Sequence, residues 1–415
     1  MQAGKGETVL MGQIAFDLER EIKEMSAFSR SGGMGTTRLP FTYEAKAAAE
    51  HIIQLMEEAG LRVRTDETGA VIGRLEGKRA ETYIIASHYD TVENGGNYDG
   101  MAGILCGIKI AELLAGQKDL TYSLEIIATN DEEGARFSGG FFTSKAMLGG
   151  WTPEELKEHK DKNAVSIYEA MLAYGLKPEA IDRAKRERDK IKGFFEIHIE
   201  QGPVLEKSGK DLGIVRTIVG MERSLITVYG RADHAGTTPM DMRSDAVEKA
   251  AKIIAKIGDC ARKYPETVAT VGYVKVLPNT VNTIADRVEF SLDVRSPVRE
   301  TIDRVMFEIQ NQLERHTVFS IRRTLFEEPV SMDGEYREML LSAAEQRNYS
   351  WQEMNSGAGH DSLPIGRVIR TAMLFIPSIG GRSHCPEEFT EPEAMEKAVL
   401  VLYDVIKKLL ENKEE

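Results

Sequence analysis

The sequence has 415 residues, 42% of them hydrophobic and 29% charged, with a formal net charge of −13. That length exceeds what one core usually holds, so two domains are expected, and the acidic balance speaks against a nucleic-acid partner, whose phosphates need clustered cations. No apolar run approaches the ~20 residues of a membrane span, residues 1–7 lack the apolar core of a signal peptide, and Cys106, Cys260 and Cys385 are too scattered for a disulfide framework or a thiolate cage; a cytoplasmic protein with no membrane partner is expected.

A helical pattern over 13–28 is followed by a Gly/Thr/Pro loop over 32–42 and a second helix over 44–60. A strand pair, 62–64 and 70–75, leads to the apolar run Tyr83-Ile-Ile-Ala86, a buried strand bounded by turn residues. The next stretch, Ser87-His-Tyr-Asp-Thr-Val-Glu-Asn-Gly-Gly-Asn-Tyr-Asp99-Gly100, brings His88 and Asp90 to a strand end, where open α/β sheets place their ligands. It leaves Asp99 at the start of a helix over 103–114, with Asp90 placed to fix His88 by a hydrogen bond. A second buried strand, 123–129, ends in Asn130-Asp-Glu-Glu133-Gly134, and the alternation of strand and helix predicts a largely parallel α/β sheet. Residues 151–192 read as charged and helical, His159 among them as a solvated surface histidine; the strand 193–199 then closes with His198-Ile-Glu-Gln201-Gly-Pro203.

The pattern changes near Gly213. Strands 214–219 and 224–229, helix 244–262, strands 267–276 and 287–294 and helix 298–315 predict an inserted α+β domain. Near Pro329 the chain returns to helix over 335–346, then to Gly357-Ala-Gly-His-Asp361, a buried strand 371–376, a loop holding Ser383-His384-Cys385, and a closing helix over 391–410. The expected division is therefore 1–212 and 330–415 for an α/β domain with a mixed sheet flanked by helices, and 213–329 for the insert.

His88, Asp99, Glu133, His198 and His384 all fall at or just past the ends of predicted core strands. Imidazole with carboxylate suits zinc, manganese or a similar divalent ion. Five such groups are too many for one tetrahedral ion with an open position, whereas two ions sharing a carboxylate fit the count and activate a water between them. Asp99, on a Gly-rich turn, is the chosen bridge, with Glu133 the alternative. Glu132 and Glu133 cannot both point the same way along an extended strand end. One is read as a ligand and the other as the base that takes the proton of the attacking water. Arg295 ends a strand with a planar fork that suits a carboxylate, its plain counterpart being a surface ion pair; Asn282, in Pro278-Asn-Thr-Val-Asn-Thr283, offers a second hydrogen bond. His51 and His316 read as structural, and His360 with Asp361 as part of the cavity wall.

The Ser87–Gly100 stretch, Glu132-Glu-Gly-Ala-Arg-Phe137, His198-Ile-Glu-Gln-Gly-Pro203, His234-Ala-Gly-Thr-Thr-Pro239, Gly357-Ala-Gly-His-Asp361 and Ser383-His384 together resemble the N-carbamoyl-L-amino-acid hydrolase and allantoate amidohydrolase family, within the two-metal aminoacylases and carboxypeptidases. The resemblance runs in order along nearly the whole chain. It implies an aminopeptidase-like catalytic domain broken by an inserted dimerisation domain, hence a homodimer. It makes His88, Asp99, Glu133, His198 and His384 the ligands of two divalent ions (zinc, manganese or cobalt), with Asp99 bridging and Glu132 the general base. Gln201, His234, Asn282 and Arg295 become substrate contacts, with Gly359 a weaker one, and Asp99–Gly100 a cis peptide. Two positions depart from the family pattern, Tyr89 for an aliphatic residue and Cys385 beside His384. The implied activity is metal-dependent hydrolysis of a carbamoyl or ureido C–N bond on a small α-carboxylate, most directly an N-carbamoyl-L-amino acid, with His234 stabilising the oxyanion. Allantoate is the close alternative, toward which Asn94-Gly-Gly-Asn97 leans. A dipeptidase or aminoacylase ranks lower, and a catalytically silent metal-binding scaffold lowest, because every expected position is filled.

Overall fold

The computed structural model describes residues 3–117, 119–137 and 139–411. The chain divides into two compact units, Met1–Arg216 with Met332–Met354 and Ala358–Glu415, and Thr217–Ser331 with Asn355–Gly357. In chain order the elements are α1 (Ala3–Ser26), α2 (Tyr43–Glu58), β1 (Arg62–Thr65), β2 (Val71–Leu75), β3 (Thr82–His88), α3 (Met101–Ala115) and β4 (Ser123–Thr129). Short helices α4 (Phe142–Met147), α5 (Pro153–Glu158) and α6 (Ile167–Tyr174) precede β5 (Ile191–Ile199), α7 (Val204–Ser208) and β6 (Leu212–Ile218). The second unit holds β7 (Gly220–Tyr229), α8 (Ala246–Arg262), β8 (Val268–Thr270), β9 (Val274–Leu277), β10 (Arg287–Ser296), α9 (Arg299–His316), β11 (Val318–Glu327) and β12 (Val330–Ser331). After it come α10 (Gly334–Gln346), β13 (Trp351–Ser356), α11 (Ser362–Ile365), β14 (Thr371–Ile376) and α12 (Pro392–Glu411).

The first unit is built on a mixed sheet in the order β1-β2-β4-β3-β5-β14-β6. Its centre is parallel, β3 with β4 and β5, and β5 with β14, while β1, β2 and β6 run antiparallel to their neighbours. Strands β3, β4 and β14 are buried at every residue, as continuous apolar runs covered on both faces should be. Helix α3 is buried on nearly every side, and Gly103 lets it approach the sheet: a Cβ there would lie 2.2 Å from the Ile197 carbonyl oxygen. Between 151 and 192 the expected helix is broken. Thr152 and Ser166 each close a capping box with the glutamate three residues on, so two short helices start there, and 3-10 turns carry the chain to Ile191.

In the second unit an antiparallel sheet, β11-β7-β10-β8 with β9 also on β10, buries alternate residues against a core that includes Ile253, Ile257, Val305 and Ile309 of α8 and α9. The single strand expected over 267–276 is two, because the Ser291 hydroxyl oxygen takes the main-chain N–H of Gly272 (3.3 Å) and Tyr273 (3.1 Å) out of the ladder. Strand β11 has no counterpart in the sequence reading. Its register shifts between Arg323 and Leu325, and that bulge interrupts the alternation that marks a strand.

Candidate metal centre

Because β3, β4, β5 and β14 run parallel, their carboxyl ends share one edge of the sheet. His88 ends β3, Glu132 and Glu133 follow β4, His198 lies one residue from the end of β5, and His384 sits on the loop after β14. Asp99 stands before α3, on a turn made by Gly100 at φ +68, where a Cβ would lie 2.4 Å from the His88 carbonyl oxygen. That turn is achieved with a trans bond. Among the described residues the cis peptide is Leu277–Pro278, so the expectation for Asp99–Gly100 is corrected.

The side chains converge on the two oxygens of Asp99. Oδ1 lies 3.2 Å from Nε2 of His88 and 3.2 Å from Nε2 of His198, and those nitrogens are 3.4 Å apart. Oδ2 lies 3.3 Å from Nε2 of His384, which is itself 3.3 Å from Glu133 Oε1. Glu132 Oε2 is 3.9 Å from His88 Nε2. Burial is unequal: the side chains of His88 and His198 are 1% exposed and that of His384 is 47% exposed.

These contacts are not a satisfied hydrogen-bond network. Nδ1 of His88 faces the Asp90 carbonyl oxygen at 3.0 Å, and Nδ1 of His198 faces that of Ile199 at 2.9 Å. A carbonyl accepts only, so each Nδ1 carries a proton, and each Nε2 either donates to Asp99 when the ring is charged or offers a lone pair to an ion when it is neutral. With both rings neutral, Asp99 Oδ1 is buried without a hydrogen-bond donor. Three lone pairs meeting at this spacing ask for a cation, and ligands about 2.0–2.1 Å from a tetrahedral ion lie about 3.3–3.4 Å apart. The grouping of His88, Asp99 and His198, and that of Asp99, Glu133 and His384, fit one ion each. Without ions the protein fills the gap with protons. Burial alone would lower His88, but Glu132 and Asp99 hold it well above its usual range, and hydrogen bonds to Asp99 and Glu133 push His384 up to about 10. Metal binding displaces such protons.

Supporting residues fix this edge. Asp90 fixes His88 by a hydrogen bond as expected, through its carbonyl oxygen, while its buried carboxylate accepts the main-chain N–H of Glu132 (3.0 Å) and Glu133 (3.2 Å). Glu388 Oε1 accepts the N–H of Tyr98 and of Asp99, both at 2.9 Å, and Ser383 Oγ sits 2.8 Å from Asp99 Oδ2 and 2.9 Å from Glu388 Oε2. Gln201 Nε2 donates to Asp99 Oδ2 at 2.7 Å. Asp131, Gln201 and His384 all hold positive φ, 59, 58 and 55, backbone strain of about 1–3 kcal/mol each that functional sites often carry. Burial pushes the Glu132 carboxyl well above its ordinary range, as suits a group that must take and return a proton. His360 packs edge-on to His198, ring centroids 4.5 Å apart, and Asp361 accepts from the Thr129 and Ser144 hydroxyls. The space at Gly359 is taken by Phe141, whose Cζ would lie 2.5 Å from an added Cβ. Tyr89 is buried in the core with its hydroxyl on the Gly69 carbonyl (3.0 Å), and Cys385 Sγ accepts from Arg382 Nε at 3.3 Å.

The second unit holds the other expected substrate contacts. His234 and Asn282 are exposed on adjoining segments, tied by the Ala235 N–H to the Asn282 carbonyl at 2.9 Å. The Gly236 N–H donates to His234 Nδ1 at 3.0 Å, which leaves the proton of the neutral ring on Nε2. Arg295 is gripped by Asp293 through Nε (2.9 Å) and Nη2 (3.0 Å) and donates from Nη1 to the Gly357 carbonyl (2.7 Å). Two of its five N–H groups remain.

The model of peptidase family M20/M25/M40 matches residues 84–408. The chain belongs to that family. It is 39% identical over 401 residues to an N-carbamoyl-L-amino-acid amidohydrolase of Paenarthrobacter aurescens, covering 94% of this chain and 97% of the relative. It is 37% identical to an allantoate amidohydrolase of Bacillus subtilis (strain 168), covering 94% and 96%. Among solved structures, an amidase of the hydantoinase/carbamoylase family from Burkholderia multivorans superposes with a TM-score of 0.88 at 28% identity, over 96% of this chain and 98% of that one. M20 enzymes are typically dependent on a pair of metal ions, and the residue groups above are where this M20 chain can hold them. Among the described residues no helix is long and apolar enough to cross a membrane.

Proposed function

We propose that this M20 enzyme hydrolyses the carbamoyl C–N bond of N-carbamoyl-L-amino acids, using two divalent ions (zinc, manganese or cobalt) held by His88, Asp99, His198, Glu133 and His384. The observation that carries the reading is Asp99, whose two oxygens each lie 3.2–3.3 Å from a different histidine set, as a carboxylate shared by two ions must. The ions, when bound, supply the Lewis acidity that activates a water at neutral pH. Glu132 takes that water's proton and returns it to the departing nitrogen, and its raised affinity for a proton suits the exchange. His234, with its proton on Nε2, donates to the oxyanion that develops on the ureido carbon. Arg295, through the two N–H groups that Asp293 and Gly357 leave, and Asn282 hold the α-carboxylate, and Gln201 steadies both Asp99 and the substrate. The products are an amino acid, ammonia and carbon dioxide. The finer features belong to the same proposal: a cytoplasmic homodimer, paired through the inserted unit, in which His234 serves the partner's site.

Allantoate, which also sets ureido groups beside a carboxylate, is the second reading, and a relative 37% identical is named for it. The Asn94–Asn97 stretch does not decide for it, since Asn94 is bonded to Ser31 and Asn97 to Thr36. The test is ammonia release by protein reloaded with Mn²⁺, Co²⁺ or Zn²⁺ on N-carbamoyl-L-amino acids, allantoate and dipeptides. Fastest turnover of a carbamoyl amino acid is expected; turnover of allantoate alone, or of dipeptides alone, overturns the assignment.

A further inference from the structure

At the start of β3 and β5, the cavity lined by Thr82 and Ile191 has a volume of about 310 Å³. Six cations line it: Arg64, Arg74, Arg183, Lys185, Arg186 and Lys190. One carboxylate, Glu187, lines it with them and is taken by Lys190 at 2.7 Å. Below, Glu125 clamps two of the guanidinium groups, accepting from Arg74 Nη1 (2.8 Å) and Arg186 Nη2 (2.5 Å), and Glu76 and the Ser123 hydroxyl hold the rest of Arg74. The clamp orients Arg186 but leaves its Nη1 buried without an acceptor, a group that costs free energy until something accepts from it. The side chains of Arg64, Arg183 and Lys185 form no salt bridge or hydrogen bond with any described residue. A solvated basic face is common, but such a face needs neither a cavity nor an oriented, orphaned guanidinium. In a chain of net charge −13, a cavity where three of six cations lack a salt-bridge partner stands out.

We propose that this cleft binds a small phosphorylated anion. Arginine forks match pairs of phosphate oxygens, and the charge exceeds what one carboxylate would balance. The volume is at the small end of metabolite pockets, which suits a diphosphate group and not a nucleic-acid backbone. The cleft is also separate from the metal centre. Thr82 begins β3 and His88 ends it, about 20 Å apart at ~3.3 Å per residue.

The test is calorimetric titration of the full-length protein with pyrophosphate at fixed ionic strength, run on the metal-loaded form and on Asp99→Ala, whose metal centre should be empty and so cannot bind the probe. Arg183→Ala with Lys185→Ala, both exposed, should weaken binding by about tenfold or more and leave turnover of the carbamoyl substrate unchanged. Lys162→Ala with Lys252→Ala, which removes the same charge elsewhere, should change binding by less than about twofold. Arg186→Gln should reproduce the loss by removing the partly buried guanidinium. Unchanged binding in the Arg183/Lys185 variant, or equal weakening in the control pair, overturns the site. Citrate binding as tightly as pyrophosphate overturns the phosphate assignment.

Discussion

Asp90→Ala isolates the residue on which both halves of the metal-binding edge depend. Its buried carboxylate accepts two main-chain N–H groups, those of Glu132 and Glu133 at 3.0 and 3.2 Å. Truncation leaves both without acceptors, at about 1–3 kcal/mol each. Part of that, up to about 3 kcal/mol, is returned because burial disfavours the Asp90 charge, holding its carboxyl up at about 6, so a net loss of at most about 3 kcal/mol is expected. The carbonyl oxygen that orients His88 survives in alanine, so the ion held by His88, Asp99 and His198 should stay, while the one needing Glu133 weakens and bound metal falls from two ions toward one. Release of the Glu132 segment by even about 1 Å should lower kcat by about a hundredfold. Asp90→Asn should resemble alanine, because its amide N–H₂ confronts one of the same donors. The measurements are urea denaturation, metal content by atomic emission, and ammonia release. An Asp90→Ala protein with an unchanged urea midpoint, two bound ions and kcat within about twofold of wild type would refute the reasoning.

Four further outcomes are expected. Glu132→Gln should keep both ions and lose turnover by ~10²-fold or more; near-normal turnover places the base elsewhere. Asp99→Ala should lose both ions, and metal analysis still finding two would remove its shared role. Glu21 is held up at about 7, chiefly by burial against the opposing pull of Lys109; its folded form therefore binds a proton more tightly than the unfolded chain does, and stability falls as pH rises from about 4.5 through about 7. Glu21→Gln should abolish that slope and gain at most about 3 kcal/mol at pH 8 relative to pH 5 by urea denaturation; an equal effect at both pH values would sink the argument. Mixing Glu132→Gln with His234→Ala chains, after confirmed subunit exchange, should restore about a quarter of wild-type activity if His234 serves the partner, and a dead mixture rules that out.

Much of the first unit was legible because its parallel strands are long apolar runs closed by turn residues. His88, the Glu132–Glu133 pair and His198 could be placed at strand ends from that pattern alone. What the sequence hid lies in contacts without a period. Glu388 holds the Asp99 loop from 289 positions away, and an acid two residues after a proline carries no local sign of it. The bond from Asp90 to His88 was legible, but not that the carbonyl makes it and leaves the carboxylate to hold the Glu132 and Glu133 N–H groups. The break at Gly272 arises from a cross-strand serine, Ser291, and the bulge in β11 from a register slip; neither alters composition. Arg295 was read as either a substrate fork or an ion pair, and three of its bonds are in fact made within its own unit.

The difference in shielding between His384 and the histidines at the floor of the site has a practical consequence for anyone handling the protein. An ion whose ligand is 47% exposed meets water and chelators directly, whereas one held by side chains 1% exposed must wait for the edge to open. Loss of metal in dilute buffer should therefore be biphasic, with a fast step that silences the enzyme and a slow one that unfolds it more readily. A half-loaded species should accumulate between the two steps, inert yet more heat-resistant than the metal-free protein. Specific activity would then follow the purification history of a sample more closely than its folded fraction.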